Sequence, residues 1–180
     1  MLKFNPHKEN CTGCSACYSA CPVRCISMKA DEEGFLYPES TDECIECGLC
    51  ESVCPSFKEK SECTHPKSVY AAVSKDYAIW HRSTSGGAFS EIVRHWTEDD
   101  SLIVGAAWRG FTVHHIGVVG FRNIPPLCKS KYMASSIENT FIEIRTHLQK
   151  GKKAVFCGCP CQVDGLRKFL RKEYEHLLTI

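Results

Sequence analysis

Fourteen of the 180 residues are cysteine, and their spacing says what most of them are for. The run "CTGCSACYSACP" (11–22) returns as "CIECGLCESVCP" (44–55), with every cysteine displaced by 33 positions, from 11 to 44 and from 21 to 54. Each copy reads C-x2-C-x2-C-x3-C-P. Three thiolates at that spacing reach three corners of a four-iron cubane from one tight loop, and the fourth serves the other cluster. This assigns Cys11, Cys14, Cys17 and Cys54 to one [4Fe–4S] cluster, and Cys44, Cys47, Cys50 and Cys21 to a second. The fourth cysteine of each copy is expected to open a helix that carries it away, with Pro22 and Pro55 directing the chain beyond. Gly13 and Gly48, with the small Ser15 and Ala16, leave room for backbone N–H groups to approach the sulfides. Structural zinc is the competing use of thiolate tetrads, but zinc sites bring their cysteines in separated pairs. The chemistry is serial transfer of single electrons.

A period of this size marks a duplicated unit. Between the copies, "CISMKADEEGFLYPES" reads as two short strands around an acidic glycine turn. Residues 1–60 are therefore expected to form a two-cluster domain of the bacterial ferredoxin type. Cys25 and Cys63 fit neither run and read as small buried fillers. The polar, proline-containing stretch 56–67 is the expected linker. Beyond it, strands are expected at 68–74, 102–108, 111–121 and 153–158. One helix starts near Phe89, with Ile92, Val93 and Trp96 on its face. A second covers roughly 137–149, with Ile137, Phe141, Ile144 and Leu148 inward and a Ser135–Glu138 capping box. A third starts at Pro160, with Val163, Leu166, Phe169 and Leu170 inward. The fold class is α+β: a small two-cluster ferredoxin-like domain, then an incomplete mixed α/β domain over 67–180. The closing "HLLTI" has strand character, and a domain seldom finishes by starting a strand, so a longer parent protein is expected.

Three stretches of the second half carry further chemistry. "RSTSGGAFSEIVRHW" (82–96) places hydroxyls and two glycines ahead of an amphipathic helix, an arrangement that either caps the helix or receives an anion such as a phosphate. "CKSKYMASSIE" (128–138) offers two lysines and a tyrosine, either a solvated basic loop or an anion site with a flat ring surface. "FCGCPCQVDGLRKFL" (156–170) puts three cysteines on alternate positions. Alternate residues of a strand face opposite ways, so these three are not one site. Cys161, in the first turn of a helix, is the one whose thiolate the dipole favours. Cys157 reads as core filler, and Cys128 and Cys159 stay unassigned.

In order, S-x-S-G-G, K-S-K-Y and G-x-P-C-Q-x-x-G-L resemble the signatures of the coenzyme F-420 hydrogenase/dehydrogenase beta-subunit family, many of whose members carry a double ferredoxin segment in front. The resemblance implies a flavin-binding domain over 67–180 and a flavin, FAD or FMN, beside the clusters. It also implies a deazaflavin coenzyme as hydride partner. Ser85, Gly86, Gly87, Lys129, Ser130, Lys131, Tyr132, Cys161 and Gln162 match its motifs and are implied to lie near the flavin or an associated cluster. Two departures stand out: family members continue well past the P-C-Q helix, and cysteine is unusual at positions 157 and 159.

The rest of the composition excludes more than it assigns. Lys and Arg (22) nearly balance Asp and Glu (21), so charge calls for neither nucleic acid nor a membrane surface. The absence of an apolar run near 18 residues or a leader pattern argues against membrane insertion and for a reducing cytoplasm, with cluster density favouring an anaerobic cell. The expected partner is a redox protein or enzyme subunit. No side chain is singled out as general acid or base. His114 and His115 adjoin on a strand and point to opposite faces, and His81 and His95 have no acid or cysteine partner pattern. Two other readings remain: a non-catalytic electron carrier with a partner-binding domain, and a redox sensor built on Cys157, Cys159 or Cys161.

Overall fold

The duplication in the sequence is a duplication of backbone. Gly13 (φ 65°) and Ser15 (φ 62°) are left-handed in the first copy, and Glu46 (φ 55°) and Gly48 (φ 69°) occupy the same two positions in the second. Each copy then makes one short helix, α1 (Ala16–Ala20) and α2 (Leu49–Ser52). In a computed structural model, which describes residues 8–57, 66 and 68–180, the fourth cysteine of each copy follows its helix instead of opening it. Five helical residues suffice to turn the chain, and Pro22, lacking an N–H, stops the first helix from continuing. Between the copies β1 (Ile26–Ala30) and β2 (Leu36–Ser40) pair antiparallel around the Asp31–Gly34 turn, as the acidic glycine stretch predicts. The Asp31 carboxylate accepts from the backbone N–H of Glu33 and Phe35 and closes that turn. Cys63 and most of the expected linker lie outside the described residues.

The second half is built on a five-stranded mixed sheet in the order β5-β4-β3-β6-β7. β3 (Leu102–Arg109) and β4 (Thr112–Val119) form an antiparallel hairpin; β6 (Ala154–Phe156) lies parallel to β3, and β7 (Leu177–Thr179) parallel to β6. β5 is only Ser135–Ser136, parallel to β4. Residue alternation sorts the strands into two cores. On one face Leu102, Val104, Ala154 and Phe156 pack against α5 (Thr140–Gln149) and α6 (Pro160–Leu170) through Phe141, Ile144, Leu148, Leu166 and Phe169. On the other, Ile103, Ala107 and Val155 meet Val93 of α4 (Ala88–Trp96) and the turn residues Ile124 and Leu127. The inward stripes read from periodicity for these three helices hold except at Ile92, which is exposed; Val163 is half-buried, and Ile137 is buried ahead of the start of α5.

Two further local expectations fail. Residues 68–74 form no strand: Val69, Tyr70 and Val73 are exposed, and the short helix α3 (Tyr77–Arg82) follows. Strand-like alternation is not enough where no neighbour offers a ladder. Ser135 and Glu138 do not cap α5, which starts at Thr140 behind Asn139. The Ser135 hydroxyl bonds His115, and the Glu138 carboxylate meets His114 and Arg109, so both side chains are engaged elsewhere.

The ferredoxin-like part packs on the helical layer. Cys14, Ala16 and Val53 belong to the same core as Phe141, Phe156 and Leu166. The contact is tight at Gly165 of α6, where an added Cβ would sit 2.9 Å from Cys14 Sγ. Glycine is the residue that lets a helix backbone come this near a thiol.

Candidate functional site

The eight candidate cluster cysteines gather as two sets. Cys11, Cys14, Cys17 and Cys54 line one small cavity, and Cys21, Cys44, Cys47 and Cys50 line another of about 250 Å³. Each set contains three cysteines of one copy and the fourth of the other. Among the described residues no three His, Cys, Asp or Glu side chains close to single-ion bonding distance. The thiols of each set are arranged around their cavity instead.

Their electrostatics fit a cationic guest. Burial pushes the Cys14 thiol up to about 11, and Cys11 and Cys17 upward as well; the neighbouring thiols, Cys54 among them, raise all three further. Backbone N–H groups of Gly13, Ala16 and Tyr18 act the other way on Cys11, Cys14 and Cys17. Thiols that are buried, crowded by like groups and addressed by N–H donors become stable thiolates when iron supplies positive charge. The second set is more open: Cys47 is exposed, whereas Cys21 is buried. Cys25 also lines this cavity, 97% buried, with its Sγ 3.4 Å from Cys21 Sγ and its thiol pushed up to about 12 by burial. It packs with Cys21 and Ile26, in keeping with a buried filler.

A third feature lies between the two halves of the molecule. A cleft of about 830 Å³ opens at the carboxyl end of β6, where the chain leaves the strand as Cys157, Gly158 and Cys159. One wall is the loop into α4 with Ser85 and Gly87; another is Lys129, Ser130 and Lys131. Cys161 and Gln162, in the first turn of α6, form a third. The ferredoxin-like part closes the fourth side with Cys11, Thr12, Gly13 and the hairpin residues Phe35, Leu36 and Tyr37. Three sequence motifs far apart in the chain thus meet at one space, and that space touches a residue of the first thiol set.

Local hydrogen bonds explain how the walls hold their shape. Ser130 N–H donates to Thr84 Oγ1 at 2.9 Å, tying the two loops together. Lys131 Nζ donates to the carbonyls of Cys128 (2.6 Å) and Pro126 (3.1 Å), and burial lowers its pKa. Gln162 Oε1 accepts from Cys159 N–H at 2.9 Å while the Cys159 thiol caps the helix start. Two of the nine residues matched to the family motifs, Tyr132 and Gly86, do not line the cleft. Tyr132 is 88% exposed. Gly86 lies against the 72–73 backbone, where an added Cβ would stand 1.9 Å from Ala72 O, so only glycine fits there.

Sequence reasoning passed over His115. It is 2% exposed, stacked on Phe156 at 5.2 Å between ring centres, and its two nitrogens meet Ser135 Oγ (2.8 Å) and the Cys157 carbonyl (3.1 Å). A carbonyl only accepts, so Nε2 carries the proton and Nδ1 accepts from Ser135. Burial depresses its pKa to about 4, and the ring is neutral. His114 faces the other way, to Glu138 Oε1 at 2.6 Å, so the pair is split across the sheet as alternation requires. No pattern in the sequence distinguishes the two; only the hidden face of β4 does.

Comparison with known proteins settles the front of the chain. Residues 10–57 match the 4Fe-4S dicluster domain family. An uncharacterized ferredoxin of Methanocaldococcus jannaschii is 35% identical over 49 residues, which are 27% of this chain and 74% of that protein. Through residues 10–57, the chain belongs to the 4Fe–4S dicluster ferredoxins. The ferredoxin domain is an iron–sulfur electron-transfer module, and the match sets the zinc alternative aside. NADH-quinone oxidoreductase subunit I 2 of Geobacter metallireducens is 37% identical over 60 residues, 30% of this chain and 46% of its own length. Coenzyme F420-dependent sulfite reductase of M. jannaschii is 26% identical over 172 residues, 88% of this chain and 25% of its own. The chain thus spans less than half of the length of either oxidoreductase. No helix among the described residues is long and apolar enough to cross a membrane.

Proposed function

We propose that the chain is an iron–sulfur flavoprotein oxidoreductase subunit, or a domain of one, of the coenzyme F-420 hydrogenase/dehydrogenase beta-subunit type. Residues 67–180 would be part of its flavin-binding domain. The observation that carries this reading is the convergence of the three motif stretches on one 830 Å³ cleft whose fourth wall includes Cys11. Its volume falls in the range of small-molecule sites. The weak similarity to the F420-dependent sulfite reductase extends well past the ferredoxin domain and supports the same assignment.

In this reading Cys11, Cys14, Cys17 and Cys54 hold the cluster next to the cleft, and Cys44, Cys47, Cys50 and Cys21 hold the outer one. A flavin, FAD or FMN, would supply exchange of an electron pair with a hydride partner, a deazaflavin coenzyme among the candidates, while the clusters accept single electrons. The chain's own residues do the rest. Hydroxyls of Thr84 and Ser85 and the ammonium of Lys131 give the cleft a polar side suited to phosphate or a ring carbonyl. Phe89, Leu127 and Met133 give an apolar side suited to a flat ring, and the hairpin residues Phe35 and Tyr37 limit water. The redox partner would be another subunit or protein.

The test is anaerobic purification followed by cofactor analysis. About eight irons per chain, with FAD or FMN retained or rebound in the micromolar range, is the expected result. Full iron with no flavin binding would overturn the flavin reading and leave the electron-carrier reading in its place.

A further inference from the structure

Cys14 of the first thiol set is buried against the second half of the molecule, whereas Cys47 of the second set is exposed. Beside Cys47, Ile45 is 60% and Val23 38% exposed. Around this apolar spot stand the exposed carboxylates Asp42, Glu43 and Glu46. The charge extends well beyond them. Residues 30–57 contain eight Asp and Glu and no Lys or Arg, while the remainder of the chain carries thirteen acids against twenty-two bases. Arg24 donates to Asn139 Oδ1 at 3.1 Å, and Lys29 pairs with Glu39 at 2.6 Å. A chain of net charge +1 has thus collected its negative charge on the domain that moves electrons.

We propose that the face around Cys47 is the docking surface for a one-electron partner protein that presents an apolar spot ringed by lysine or arginine. The apolar centre supplies contact that excludes water, and the carboxylates supply orientation and encounter rate. A basic partner approaching at random is drawn to this end and repelled from the rest, so it arrives with its redox centre near the exposed ligand. The step is a single electron passing from the reduced domain to the partner's oxidised centre; no bond forms and no proton moves. The inference rests on the ferredoxin domain and the cysteine assignment above, and it needs no flavin.

The experiment uses the full iron-loaded chain, reduced with dithionite and mixed anaerobically with a cationic ferric c-type cytochrome as probe. Ferricyanide, an anionic oxidant, serves as contrast. The rate with the cytochrome is expected to fall at least about tenfold between roughly 20 and 500 mM salt. The triple variant Asp42→Lys/Glu43→Lys/Glu46→Lys should slow the cytochrome at least about tenfold at low salt and speed ferricyanide. Ile45→Ser should slow the cytochrome by about two- to threefold with an unchanged salt slope. Glu173→Lys/Glu175→Lys, two exposed acids on the turn between α6 and β7, should leave the rate as it is. Should the lysine variant lose iron, Glu43→Gln/Glu46→Gln replaces it, with an expected slowing of about threefold. An iron-replete variant that reacts with the cytochrome like the parent overturns the proposal, as does equal slowing by the control pair. Failure to bind flavin would remove the enzyme reading and leave this result standing.

Discussion

The two thiol sites come from one duplicated run and share its backbone, including the left-handed residues at matching positions. The protein then treats them differently. Cys14 of the first set is buried in a core that contains Phe141, Phe156 and Leu166, and α6 touches it through Gly165. Cys47 of the second set is exposed beside Ile45. Duplication supplies two similar cysteine loops; the second half packs on Cys14 of one, while Cys47 of the other is exposed. In the proposed function this difference would give the molecule a direction, from a cleft at the first set to a surface at the second.

The largest test of this asymmetry exchanges one ligand at each site. Cys14→Ser should remove the inner cluster, taking iron from about eight to about four per chain, and should also lower the melting temperature of the second half. Cys47→Ser should affect the outer cluster alone and leave that melting transition in place. Iron analysis and thermal melts report both, and equal losses of stability from the two variants would show that the inner site is not coupled to the core.

Next in size is a change inside the shared core. Phe156 is fully buried, between His115 on one side and the edge of Phe141 on the other. Phe156→Ala should cost about 3–5 kcal/mol. Because the same core holds Cys14, the inner cluster should become more labile to chelators than the outer one. Chelator kinetics followed by EPR would register the split, and a uniform increase in lability would argue against it.

The sequence announced much of this and hid the rest for physical reasons. Ligand spacing is local, so the two thiol sets could be read directly, and so could the stripes of α4, α5 and α6. The 68–74 segment misled because β-propensity describes fit to a partner strand, and none is present. Ser135 and Glu138 formed a convincing capping signal until His115 and His114, twenty or more residues away, engaged their side chains. The cleft's fourth wall, from Phe35 to Tyr37, belongs to the other half of the molecule, and no spacing rule reports such a contact. Gly165 likewise reads as an ordinary mid-helix glycine; its meaning depends on Cys14.

That glycine gives a finer test. Gly165→Ala adds a methyl group 2.9 Å from Cys14 Sγ and 3.0 Å from Cys14 Cβ. Helix propensity favours alanine by just under about 1 kcal/mol, so an uncrowded site would become more stable. Overpacking of this kind costs about 1–3 kcal/mol, and the net expectation is a modest loss. It should appear together with a changed EPR signal of the inner cluster and an unchanged signal of the outer one. A stabilised variant with both signals intact would mean that α6 can slide away from the ligand loop and that the two halves are only loosely joined.

The smallest effect concerns the buried imidazole at the floor of the cleft. His115 has its pKa lowered by burial from 6.5 to about 4, so the unfolded chain binds a proton that the folded chain refuses across that window. The corresponding stability is fully present above pH 6.5, declines as pH falls, and is wholly lost below about 4. Between pH 7 and 5.5 the loss from this residue is about 1 kcal/mol. His115→Gln can still donate to the Cys157 carbonyl but does not titrate, so it should be less stable at pH 7 and should lose that increment of acid sensitivity. The location of the loss matters more than its size. His115 stacks on Phe156, which shares its core with Cys14, so mild acid should loosen the inner cluster before the outer one. A pH-dependent melt in which both clusters bleach together, with the same slope in parent and variant, would place the acid-sensitive contact elsewhere and remove His115 from the link between cleft and cluster.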